Sequence, residues 1–112
     1  MLREAKFTLP DRDNDGVPAD LAHKKFRAAM LRLFGGYTAT PSFGGWWDAK
    51  AGKEVQEPGL TYTVAIPNDP ASWQLFEVAA LTAGAAAGQS AVYMVGPDGT
   101  ARVVSLKQEA TP

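Results

Sequence analysis

Apolar residues in this 112-residue chain follow two different spacings, and the order of those spacings constrains the fold more than any single motif. Alternate residues are apolar over 5–9 and again over 60–66, which is the spacing of a half-buried strand. Between them lies a stripe with the spacing of an amphipathic helix, made by Ala22, Phe26, Ala29, Met30, Leu33 and Phe34. The pattern therefore predicts a strand, then a helix, then a further strand.

Start and stop signals predict the bounds of two helices. Asp20 is suited to be the N-cap of a helix over 21–34, and Gly35 is suited to end it in the left-handed conformation. Asp69, followed by a proline at the first helical position, begins a second predicted helix over 71–87. The predicted inner stripe of this second helix is Trp73, Phe76, Ala80, Ala83 and Ala87.

Turn-forming residues predict two β-hairpins in the rest of the chain. One joins 37–48 to 60–66, and the other joins 91–95 to 101–104 through a Gly-Pro-Asp-Gly turn. The order β-α-β-β-α-β with an extra C-terminal strand predicts a ferredoxin-like α+β fold, in which both helices cover one face of an antiparallel sheet. We expect one domain over 1–112, with 107–112 as a loose tail.

Composition excludes several kinds of functional site, and the apolar segments indicate where the protein is located. The absence of cysteine excludes disulfides and cysteine-based zinc or nucleophile sites, and the single histidine excludes sites with several histidine ligands. A net charge of −1 gives no bulk attraction to nucleic acid. No signal peptide is predicted, and the most apolar stretch, 78–88, is shorter than the roughly 20 residues of a membrane span. We expect a cytoplasmic protein that does not associate with membranes.

An acidic loop before the first predicted helix has two interpretations. Asp11, Asp13 and Asp15, followed by Gly16, match the first half of an EF-hand calcium loop. The closing bidentate carboxylate is missing, because the twelfth position is Ala22. The loop is therefore predicted to be an Asx-type turn, or alternatively a weak calcium site formed by the three aspartates. No other cofactor is predicted.

Exposed aromatic and basic residues predict a surface for a partner. Adjacent strand residues point to opposite faces, so one of Trp46 and Trp47 is expected in the core and the other on the open sheet face with Tyr93. The first predicted helix carries a basic cluster in which His23 is expected to be solvated. An apolar outer face on the second predicted helix favours a homodimer. The predicted partner-binding residues are Trp46, Trp47, Tyr93, Lys24, Arg27 and Arg32.

Catalytic motifs are incomplete in this chain. The segment 88–92 begins like a nucleophile elbow but lacks its final glycine. Asp48, Glu54 and Glu57 lie around one predicted hairpin and are candidates for an acid–base pair. The sequence therefore favours a non-enzymatic protein-interaction module, with a small-molecule or calcium-binding domain second and a small enzyme that uses the hairpin carboxylates third.

Several short segments resemble those of small uncharacterised proteins encoded by bacteria and their phages and plasmids. These segments are 13–16, 33–38, 45–48, 57–58, 62–64 and 89–93. The resemblance implies an accessory role in a mobile element, exerted by binding a host protein as anti-CRISPR and other anti-defence proteins do. It carries no active-site residues. The partner that it implies is a protein, such as a host defence protein. A nucleic-acid partner is not expected, because the net charge is −1.

Overall fold

The computed structural model describes residues 1–106, and these form strands and helices in the predicted order. The elements are β1 Leu2–Pro10, α1 Asp20–Phe34, β2 Thr38–Asp48, β3 Lys53–Pro67, α2 Pro70–Ala86, β4 Ala91–Val95 and β5 Ala101–Ser105. The strands form one antiparallel sheet in the order β2-β3-β1-β4-β5. The predicted ferredoxin-like α+β arrangement with an extra C-terminal strand is confirmed. The predicted tail over 107–112 lies outside the described residues.

The helix ends follow the capping signals with one exception. Asp69 caps α2, because its carboxylate accepts a hydrogen bond of 2.7 Å from the backbone N–H of Ser72. Gly35 ends α1 with φ of +84°. The prediction that Asp20 caps α1 is wrong: the capping position is Ala19, and Asp20 lies in the first turn. A carboxylate there still favours the helix, since it faces the positive end of the helix dipole.

One face of the sheet carries the core, as the alternating pattern predicts. Side chains of α1 and α2 pack on this face, and Phe26 of α1 lies at the centre with its ring centroid 4.9 Å from those of Phe7 and Tyr62. The buried apolar side chains of the strands are those of Ala5, Phe7, Leu9, Tyr62, Val64, Ile66, Val92 and Met94. The residues between them face the other side, which no element of residues 1–106 covers. Neither helix in this part of the chain is long and apolar enough to cross a membrane.

Gly84 lies inside α2, where glycine costs about 1 kcal/mol relative to alanine. A Cβ atom at this position would collide with the side chain of Val92 on β4. Because the helix approaches the sheet this closely, glycine is required by packing there. The helix extends past Gly84 to Ala86.

Strands β2 and β3 extend beyond the rest of the sheet as a two-stranded ribbon, which we define as residues 43–48 and 53–58. Strand β1 pairs with β3 only as far as Gly59, so the earlier residues of β3 pair with β2 alone. The register between β2 and β3 is uninterrupted from Thr38 opposite Thr63 to Asp48 opposite Lys53. The glycine pair at 44–45 therefore forms no bulge.

Candidate functional site

The ribbon positions a carboxylate beside an indole ring on the open side of the sheet. Strand alternation and the β2–β3 register place Trp46 and Glu57 on the same face as Thr61 and Thr8. The indole Nε1–H of Trp46 donates a hydrogen bond of 2.7 Å to Oε1 of Glu57. Because the acceptor is an ionised carboxylate, this bond is stronger than a neutral one and holds the two groups together.

Small residues lie beside this pair on the same face. Gly44 is directly opposite Glu57, and Ser42 is two residues further along β2. A Cβ atom at Gly44 would have only the backbone oxygen of Glu57 within 4 Å, at 3.9 Å, so the space above it is open. We define the ribbon site as Ser42, Gly44, Trp46 and Glu57. It offers a ligand one aromatic face, one carboxylate and accessible backbone.

The prediction that one tryptophan enters the core is wrong. Trp46 is 50% exposed and Trp47 is 66% exposed. The two indoles do lie on opposite faces of β2, but the ribbon extends past β1, and the exposure of both rings shows that neither face is covered there. Only Trp46 lies on the open face of the sheet.

The hairpin carboxylates do not form the predicted acid–base pair. Glu54 lies on the opposite face of the ribbon from Glu57, where it accepts a hydrogen bond from the amide of Gln56. One oxygen of Asp48 accepts the backbone N–H groups of Lys50 and Ala51 in the turn, at 3.0 and 3.1 Å. Glu57 is the member of this set that lies in the ribbon site.

A second polar cluster is buried between α1 and β3. His23 is 5% exposed, so its prediction as a solvated residue is wrong. Its Nε2 lies 2.9 Å from the carbonyl oxygen of Pro10, which can only accept, so Nε2 carries the proton. Nδ1 of His23 lies 2.7 Å from the hydroxyl of Tyr62, and in the neutral imidazole that hydroxyl is the donor. Arg27 donates in turn to the oxygen of Tyr62, at 3.2 Å. Burial raises the pKa of Tyr62, which keeps its hydroxyl protonated at neutral pH.

The sequence contains a signal for the burial of His23. The residue precedes Phe26 by three positions and Met30 by seven, which is the spacing of neighbours on one helix face. Both of these residues are buried in the core. A wider helical stripe would therefore have included the histidine.

The predicted partner-binding residues do not form one surface. Arg27 is half-buried and its guanidinium donates to Tyr62, which removes it from the exposed basic face of α1. Lys24 and Arg32 are exposed on that helix. Tyr93 is 47% exposed on the open face of the sheet. The six residues thus divide among the open sheet face, the far face of the ribbon and the helix layer.

The acidic loop has the geometry of the predicted turn. Asp13 Oδ1 accepts the backbone N–H groups of Asp15 and Val17, at 2.9 and 2.8 Å. Asn14 attaches the loop to the end of α2 by donating to the carbonyl oxygen of Gly88. No group of three or more metal-ligating side chains forms among residues 1–106. Calcium binding by Asp11, Asp13 and Asp15 stays a prediction, and this arrangement does not support it.

Comparison with known proteins places the fold beside that of an enzyme. No protein-family profile and no curated protein matches the chain. A solved structure of a phage SAM lyase in complex with S-methyl-5′-thioadenosine matches it with a TM-score of 0.71 at 12% identity, over 99% of this chain and 93% of that chain. A phage SAM lyase in the apo state matches with a TM-score of 0.65 at 13% identity, over 97% and 91%. Similarity at this level of identity shows the fold.

These matches overturn the prediction of a non-enzymatic interaction module. The structures that share this fold over nearly the whole of both chains are structures of an enzyme. Their phage origin agrees with the resemblance to small phage-encoded proteins. Neither is described as an anti-CRISPR protein, so that part of the interpretation has no support.

Proposed function

We propose that this protein is an enzyme that cleaves S-adenosylmethionine as a lyase, in an accessory role for a phage or plasmid. The observation that carries the proposal is the match of nearly the whole chain to a phage SAM lyase bound to S-methyl-5′-thioadenosine. That thioether is the part of S-adenosylmethionine left when the bond between sulfur and the four-carbon amino-acid chain breaks. The third interpretation from the sequence, a small enzyme with a hairpin carboxylate, is therefore carried forward.

The substrate itself supplies much of the chemistry. Its sulfonium group departs as a neutral thioether, so the leaving group needs no proton from the protein. A lyase adds no water, so the four-carbon fragment either closes on its own carboxylate or loses a proton to form an alkene. In both routes the protein mainly has to hold the substrate in the reactive conformation.

The ribbon site contains the kinds of group that the two ends of this substrate bind. The exposed indole of Trp46 offers a face on which adenine can stack. We assign the carboxylate of Glu57 to the α-ammonium group, which keeps its positive charge throughout the reaction. A carboxylate placed against the sulfonium would instead stabilise a charge that disappears in the transition state, and this would oppose the reaction.

Direct product analysis tests the activity. The purified full-length chain is incubated with S-adenosylmethionine, and the products are identified by liquid chromatography and mass spectrometry. The proposal requires S-methyl-5′-thioadenosine together with a four-carbon product that contains no added water. S-adenosylhomocysteine, which has no sulfonium, is the control and should persist. Persistence of S-adenosylmethionine with folded protein would contradict the proposal.

Two variants on opposite faces of the ribbon test the site. Glu57→Gln should lower kcat/KM at least tenfold, which corresponds to about 1.4 kcal/mol or more of lost transition-state stabilisation. Glu54→Gln makes the same chemical change on the other face and should leave kcat/KM unchanged. A fall in kcat at unchanged KM for Glu57→Gln would assign this carboxylate to proton abstraction instead of ammonium binding. The predicted homodimer and protein partner are separate from this proposal and stay predictions.

A further inference from the structure

A groove runs between α1 and α2 on the outer surface of the helix layer. Its volume is about 510 Å³, within the range of small-molecule sites. Its apolar lining includes Phe26, Leu33, Leu75 and Val78, with alanines from both helices. The helices cover the core face of the sheet, and the ribbon site lies on the other face. The groove is therefore separate from the proposed active site.

One wall of the groove carries two cations that are free for a ligand. Lys25 and Arg32 both line it from α1, about two helical turns apart, and both are exposed. Within residues 1–106, neither forms a salt bridge; the ion pair there joins Arg102 to Glu77. The wall from α2 contributes Thr82 and no charged side chain. An apolar floor is thus combined with unpaired positive charge along one rim.

We propose that this groove binds a single-chain anionic amphiphile of the fatty-acid type. The alkyl chain lies along the apolar floor, and the carboxylate lies at the rim formed by Lys25 and Arg32. Guanidinium and ammonium groups make strong charge-assisted hydrogen bonds to a carboxylate, and burial of the chain supplies the hydrophobic contribution.

Charge distinguishes this occupant from a second copy of the chain. In a two-fold symmetric contact the same surface patch meets itself, so the groove of one copy would face the groove of the other. That contact would bring Lys25 and Arg32 against either the same cations or the uncharged α2 wall of the second copy, and neither supplies an anion. A neutral apolar ligand would leave the two cations without a partner.

Isothermal titration calorimetry with laurate below its micelle concentration tests the proposal on the full-length chain. We expect binding at one site, weakened at least tenfold by the double substitution Lys25→Ala with Arg32→Ala. Lys24→Ala removes an adjacent exposed cation that does not line the groove, and this variant should bind laurate with the affinity of the parent protein. Ala86→Trp, at an exposed groove position, should block binding, and 1-dodecanol should bind at least tenfold more weakly than laurate. Melting curves confirm that each variant is folded.

Three results would overturn this site. The first is laurate binding that the double substitution does not change, or that Lys24→Ala weakens equally. The second is binding to anionic vesicles with none to monomeric laurate, which would indicate a lipid surface as the partner. The third is a dimer in light scattering that Ala86→Trp abolishes and laurate does not dissociate, which would make a second copy the occupant.

Discussion

The hydroxyl of Tyr62 lies 2.7 Å from Nδ1 of His23, and this hydrogen bond joins β3 to α1 inside the core. Tyr62 is fully buried, and its oxygen also accepts a hydrogen bond from Arg27. His23 uses its other ring nitrogen to donate to the carbonyl oxygen of Pro10. Among the described residues, no buried side-chain nitrogen or oxygen lacks a hydrogen-bond partner. Removal of one member of this chain of hydrogen bonds therefore leaves a buried polar atom without its partner.

Tyr62→Phe tests the energetic importance of this cluster. The substitution keeps the ring and removes the hydroxyl, so Nδ1 of His23 loses its hydrogen-bond partner. We expect the free energy of unfolding to fall by about 1–3 kcal/mol, measured by urea denaturation followed by circular dichroism. Tyr93→Phe is the matched control on the open sheet face and should change the free energy of unfolding by less than about 0.5 kcal/mol. If Tyr62→Phe and Tyr93→Phe lowered the free energy of unfolding equally, the buried hydrogen bonds would make no contribution of their own to stability.

The same tyrosine predicts a loss of stability at alkaline pH. Burial raises the pKa of Tyr62 in the folded protein above its ordinary value of about 10. The neutral phenol is therefore favoured by folding, and its contribution is fully present below the pKa of the unfolded chain. It is lost as the pH rises through the folded pKa. The difference in unfolding free energy between parent and Tyr62→Phe should narrow above about pH 10; a constant difference from pH 7 to pH 11 would contradict this prediction.

The fold could be predicted because the relevant signals are local. The alternation of Tyr62, Val64 and Ile66 records which face of β3 is buried, and the structure buries these three side chains. Asp69 and Gly35 mark helix ends through the backbone conformation that each residue favours. Each of these signals depends on neighbours within a few positions in the chain.

The candidate site could be predicted only in part because it depends on distant residues. Trp46, Trp47 and Glu57 were recognised as candidates, but their faces depend on a register of β2 against β3 that continues past the end of β1. Pro10 marks locally where β1 stops, but no local pattern shows that β2 and β3 continue to pair beyond that point, so the exposure of both indoles could not be anticipated. Arg27 was misplaced for a similar reason, since its acceptor is the hydroxyl of Tyr62, thirty-five positions away.

Two glycines in the β2–β3 hairpin should respond differently to alanine. A Cβ atom at Gly59 would lie 2.6 Å from the backbone oxygen of Leu9, so Gly59→Ala forces a backbone shift where β1 meets β3. We expect a loss of about 1–3 kcal/mol in unfolding free energy. At Gly44 the nearest atom would be 3.9 Å away, and Gly44→Ala should fold with nearly parental stability. Thermal denaturation of the two variants makes the comparison; equal melting temperatures would contradict the close approach at Gly59.

The two tryptophans of the ribbon give the most direct test of the proposed active face. Both indoles are at least half exposed, so Trp46→Ala and Trp47→Ala should each leave the melting temperature close to that of the parent protein. Only Trp46 contacts Glu57 and lies on the open face. We therefore expect Trp46→Ala to raise the KM for S-adenosylmethionine at least tenfold, because the adenine loses its stacking partner and Glu57 loses its hydrogen-bond donor.

Trp47→Ala removes the same amount of aromatic surface from the opposite face of the ribbon and serves as the matched control. Its KM should stay within about twofold of the parent value, since substitutions away from a site seldom exceed about 0.5 kcal/mol. A larger increase in KM for Trp47→Ala than for Trp46→Ala would place the substrate on the helix side of the ribbon. Glu54, which lies on that side, would then replace Glu57 as the carboxylate that holds the ammonium group.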